Sequence, residues 1–78
     1  MLITVHLFGS LQRFSQPDTP GIRKMDVPKG SRVEDLIKML KTKDREVVAS
    51  AINSKTCPFD KELQDGDDVF LITALGGG

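Results

Sequence analysis

Apolar residues come first along this chain. Leu2 to Phe8 (Leu-Ile-Thr-Val-His-Leu-Phe) is rich in β-branched and large apolar side chains and closes at Gly9-Ser10, which predicts a strand. Its apolar residues fall on both faces, the pattern expected of a central strand covered on both sides. Turn formers crowd Ser15 to Gly21 and predict a loop, after which Ile22 to Val27 alternates imperfectly as a second strand. Pro28-Lys29-Gly30 ends it. Ser31-Arg32-Val33-Glu34 then has capping-box spacing, with Ser31 as the cap and Glu34 reaching back. Val33, Leu36, Ile37 and Leu40 follow the i, i+3, i+4, i+7 rule, so a helix should lay one apolar stripe on a sheet and leave Lys38 and Lys41 in water. Lys41 and Lys43 near its end suit the helix dipole, although no glycine marks the stop.

Val47 to Ile52 is short and apolar, a third strand or a brief helix, with a turn at Asn53-Ser54-Lys55. Pro58 confines Thr56 to Phe59 to an edge strand or irregular segment. Asp65-Gly66-Asp67 makes a tight turn into a final strand, Asp68 to Leu75. This order predicts an α+β fold: a mixed sheet of four to five strands with one main helix packed across it. The first and last strands are the most apolar and belong side by side at the centre, so the tail leaves the middle of the sheet.

Composition narrows the classes of function. Seventy-eight residues suit one domain over 1–78, with one core and no room for a deep cleft. Eleven basic residues balance eleven acidic ones, which excludes the basic footprint of a nucleic-acid binder. Cys57 is the only cysteine and cannot form an internal disulfide, which favours a cytoplasmic location. The opening apolar run is too short to cross a bilayer and lacks the marks of a signal peptide, so no membrane role is expected.

The chain carries neither a phosphate-cradling Gly-x-x-x-x-Gly-Lys loop nor Gly-x-Gly-x-x-Gly after a strand, so it should not bind ATP unaided. With one histidine and one cysteine, a zinc site would need carboxylates for its remaining ligands, and no metal is expected. His6 reads as an ordinary strand residue rather than a base, and Cys57 as a packing residue. Asp60, Glu62, Asp65, Asp67 and Asp68 form an acidic cluster, either a solvated turn or a docking surface for a basic partner.

The terminal Gly76-Gly77-Gly78 follows directly on the last strand. Several other segments join it: Leu7-Phe8-Gly9, the run Val27 to Leu36, Ala51-Ile52-Asn53, and Asp65 to Val69. With these the chain resembles the molybdopterin-synthase small subunit and thiamine sulfur-carrier family, ubiquitin-like β-grasp proteins, over nearly its whole length.

That resemblance implies a β-grasp domain with a flexible glycine tail, 76–78, and no catalytic site of its own. It implies that an E1-like enzyme, using ATP with magnesium, adenylates the Gly78 carboxylate next to Gly77. A sulfur donor would then convert the product to a thiocarboxylate. The sulfur would pass to a pterin precursor held in the large subunit of molybdopterin synthase. Other destinations are thiazole, cysteine or transfer RNA, and two further alternatives are a ubiquitin-like modifier of lysines and a plain interaction module.

The partner-binding candidates carried over are Phe8, Ile72, Leu75 and Gly76; strand alternation alone leaves Phe8, Ile72 and Leu75 equally open to being core residues. Family chains often carry an arginine soon after the first strand. The aligned position here is Gln12, with Arg13 one later, so no ionic contact carries over. Where molybdopterin-type chains have Phe-Pro-Pro, this one has Ile72-Thr73-Ala74.

Overall fold

A computed structural model describes residues 1–43 and 45–73. The elements are β1 (Leu2–Leu7), a 3-10 helix (Gly9–Phe14), β2 (Ile22–Asp26), α1 (Val33–Leu40), β3 (Val47–Ile52), β4 (Lys55–Cys57) and β5 (Asp68–Thr73). The strands form one sheet in the order β2-β1-β5-β3-β4. The central pair β1 and β5 is parallel, with Val5 opposite Val69 and Leu7 opposite Leu71, while β2, β3 and β4 join antiparallel. The segment 47–52 is therefore a strand and not a helix. Lys55–Cys57 is an edge strand that stops where Pro58 would remove a ladder donor.

One face of the sheet carries the core. Ile3, Val5 and Leu7 of β1 and Val69 and Leu71 of β5 are buried against Val33, Leu36 and Leu40 of α1. Full burial of each such side chain is worth roughly 1.5–3 kcal/mol before entropy is counted. Among the described residues, β1 is covered on this face alone. Leu2 is exposed and Thr4 and His6 are half-buried, which corrects the expectation of a strand covered on both sides. The one α-helix among the described residues covers only one face.

The helix also starts one residue later than its capping motif predicts. Arg32, not Ser31, occupies the cap, and its amide donates to Asp35 Oδ2 at 2.9 Å where Glu34 was expected to serve. Ser31 instead donates its hydroxyl to the Pro28 carbonyl at 2.7 Å. An arginine has no acceptor to offer the first turn, so backbone supplies it: Val33 and Glu34 amides donate to the carbonyls of Lys61 and Phe59 at 3.1 and 2.8 Å. At the other end Lys41 adopts left-handed φ 57°, ψ 46°, the conformation usually given to glycine.

The acidic cluster stitches the last turn to the sheet. Asp65 accepts from the Leu2 amide at 2.8 Å, and Asp67 accepts from the Gln64 amide at 2.8 Å and from Asn53 Nδ2 at 3.3 Å. Cys57 is half-buried against the core, its Sγ 3.5 Å from Ser50 Oγ. Among the described residues, no helix is long and apolar enough to cross a membrane, and no group of three or more His, Cys, Asp or Glu is placed to hold a metal ion.

Candidate functional site

The alternation that buries Ile3, Val5, Leu7, Val69 and Leu71 sends their neighbours to the other face, which no element covers among the described residues. His6 lies opposite Phe70 in the parallel register, and their rings stack at 4.2 Å between centroids and 9° between planes. Phe8, just past β1, continues the row, 6.2 Å from Phe70, and is 47% exposed. Ile72, two residues along β5 from Phe70, is 39% exposed. On the far side β3 sets Ala51 opposite Phe70 and Ala49 opposite Ile72. Side chains that short leave a depression of about 370 Å³, lined by Phe8, Ala51, Ser54, Phe70 and Ile72. The His6 ring is held at its rim, Nε2 3.2 Å from Asp68 Oδ1.

The candidates Phe8 and Ile72 are thus brought together on the open face and are not core residues. Leu75, Gly76, Gly77 and Gly78 lie outside the described residues. Because β1 and β5 are parallel, Phe8 and Thr73 lie at the same end of the sheet, so the aromatic row runs up to the last described residue of β5.

A polar knot stands at that end. Glu46, just before β3, accepts two hydrogen bonds from the Arg13 guanidinium, one of 2.6 Å from Nη2. It also accepts 2.6 Å from the Ser10 hydroxyl and 2.9 Å from the Lys43 amide. The Arg13 hydrogen bonds foremost, helped by those of Ser10 and Lys43 and by the guanidinium charge, outweigh burial and bring the Glu46 carboxyl down to about 2. Arg13 therefore serves inside the chain, tying the 3-10 helix to the start of β3.

Reading the sequence missed His6, Phe70 and Ala51 as members of the face. The signal was present: once Leu7 and Leu71 are assigned inward, period two sends His6, Phe8, Phe70 and Ile72 outward together. The 3-10 helix and the Arg13–Glu46 pair left no such trace, since neither has a periodic signature.

The model of the ThiS family matches residues 5–78. The chain belongs to that family. Two solved structures resemble this ThiS-family chain throughout. A putative molybdopterin converting factor, subunit 1, from Pyrococcus furiosus is 24% identical with a TM-score of 0.72, over 94% of this chain and 97% of that one. SAMP1 from Haloferax volcanii is 17% identical with a TM-score of 0.73, over 100% of both chains. At such identities the likeness speaks for the fold, a ubiquitin-like β-grasp. No curated protein matches the sequence.

Proposed function

We propose that the chain is a cytoplasmic sulfur carrier that reacts at its own C-terminus. The supporting observation is that the match to the ThiS family runs through β5 to Gly78, so the glycine tail belongs to the family pattern. In this reading a carboxylate oxygen of Gly78 attacks the α-phosphorus of ATP in the pocket of an E1-like enzyme and pyrophosphate leaves. The terminal sulfur of a donor protein's persulfide then displaces AMP at the carbonyl carbon, and a second thiol attacks the donor's cysteine sulfur, forming a disulfide with the donor and releasing the thiocarboxylate. Glycine suits both steps because a Cβ would crowd the phosphorus and the carbonyl, and because Gly76 to Gly78 reach φ values closed to other residues in a narrow channel. Ordering such a tail costs on the order of 1–2 kcal/mol per residue, so affinity has to come from folded surface nearby. The Phe8-Phe70-Ile72 face is that surface.

For the acceptor we favour a pterin precursor in the large subunit of a molybdopterin synthase. The likeness to a putative molybdopterin converting factor subunit supports this choice at the level of fold. Intact mass spectrometry after incubation with the host's E1-like enzyme, ATP and a sulfur source tests the carrier reading. A gain equal to replacing one oxygen by sulfur, lost when Gly78 is deleted, is expected. Adducts on lysines of other proteins with no such gain would mean a modifier instead.

A further inference from the structure

A second and larger concavity, about 710 Å³, opens on the helix side of the sheet. Ile37, Val48 and Phe59 give it an apolar floor, and Lys38, Lys41, Lys43 and Arg45 stand around it. Three features set this groove apart from an ordinary seam between helix and strand.

The first is Val48. The ladder between β3 and β5 shifts register between Val47 and Ala49: Val47, opposite Thr73, is buried in the core, while Ala49, opposite Ile72, belongs to the open face. The extra residue pairs with neither. Such a bulge re-aims a side chain, and Val48, 52% exposed, lines the groove.

The second is backbone conformation. Lys41 and Arg45 have φ of 57° and 61°, in the left-handed region where glycine is the unstrained choice. The chain holds two cations there, at the groove, in place of glycine.

The third is charge. Among the described residues no carboxylate lines the groove, and between Lys38 and Arg45 the sequence has only one acid, Asp44. Among the described residues none of the four cations is in an ion pair, and the nearby Glu46 carboxylate is engaged by Arg13, Ser10 and the Lys43 amide.

We propose that this groove docks an acidic peptide segment of a protein partner. One apolar side chain of the segment seats on Ile37, Val48 and Phe59, and carboxylates on either side meet the four cations. A nucleic acid would use the cations but has little use for a floor of two aliphatic side chains and a single ring, and the chain's zero net charge offers no wider track for it. A membrane calls for apolar groups that protrude, whereas these line a hollow. The groove and the aromatic face lie on opposite sides of the sheet, so this partner can bind while the tail is engaged elsewhere. The inference stands whether or not Gly78 carries sulfur.

The test is a titration of the full ¹⁵N-labelled chain, followed by NMR, with a synthetic peptide whose Leu-Phe centre is flanked by glutamates. Amides of Ile37, Lys41, Val48 and Phe59 should shift, and binding should weaken as salt is raised. Val48→Asp should lower affinity by about tenfold or more, and so should the double variant Lys41→Glu with Lys43→Glu, the equivalent of about 1.4 kcal/mol or more. Both alter exposed side chains, and unchanged shifts at Ile3, Val5 and Leu71 would show that the core is intact. Shifts centred on His6, Phe70 and Ile72 would overturn the proposal. So would an equal response to a peptide with a Gly-Gly centre or with lysines for glutamates. A stronger response of the same amides to phosphatidylserine-containing vesicles or to a single-stranded oligonucleotide would also overturn it, in favour of that ligand.

Discussion

The two faces of the β1–β5 pair are made from alternate residues of the same strands, yet they answer to different constraints. The inner face is aliphatic as far as Thr73: Ile3, Val5, Leu7, Val69 and Leu71 meet the stripe of α1 at 0–1% exposure. The outer face carries His6, Phe8, Phe70 and Ile72 beside two alanines, with its rings stacked on one another and open to water. Aliphatic side chains fill a closed volume efficiently, so the inner face is where stability resides. Stacked rings beside small residues make a firm surface with apolar area left over, which suits binding. The face that holds the fold and the face proposed for recognition are separated by one residue of register.

That separation can be broken most sharply at adjacent positions. Leu71→Ala should destabilise the chain by roughly 2–5 kcal/mol in urea unfolding, because the cavity lies among closed neighbours. Ile72→Ala, one residue on, should stay within about 1 kcal/mol by the same measurement. A loss at Ile72 as large as that at Leu71 would mean that both faces are core. Next in size, Phe8→Asp should leave the unfolding midpoint nearly unchanged while reducing the rate of sulfur loading, read by intact mass, by about tenfold or more. An unchanged rate would remove the face from partner recognition.

Acid provides a third and smaller test, outside both faces. The Glu46 carboxyl lies at about 2 in the folded chain against an ordinary 4.5. Its folded pKa is depressed, so its stabilisation is fully present above about 4.5 and is lost as pH falls toward 2. Glu46→Gln should therefore flatten the loss of stability between those limits, followed as thermal midpoint against pH, whereas a parallel displaced curve would show that other carboxylates govern the acid limb. Smallest of all, His6→Ala removes one stacked ring, worth about 0.5–1.5 kcal/mol, and should leave the amide shifts of the inner face in place.

Much of the architecture was legible from particular residues. Val33, Leu36 and Leu40 announced α1 and the face it buries, and the apolar character of the first and last strands placed them together at the centre. The cap was misplaced by one residue because Ser31-x-x-Glu34 and Arg32-x-x-Asp35 overlap. The carbonyls of Phe59 and Lys61, remote in sequence, satisfy the second frame. Apolar side chains on both sides of β1 suggested two covered faces. The outward ones proved to be a surface, since among the described residues the one α-helix packs on the other face and no element covers them.

By itself the sequence determined the periods of strand and helix, the neutral charge balance and the glycine tail of the family, because these depend on residues near one another along the chain. Only the tertiary structure decided what meets across it. The parallel register of β1 and β5 lays His6 on Phe70, the bulge turns Val48 out of the sheet, and Arg13 reaches Glu46 at the end of the sheet where Thr73 lies. Each of these contacts joins residues far apart in sequence. Such partners are set by the global packing of sheet and helix, for which local pattern carries no signal.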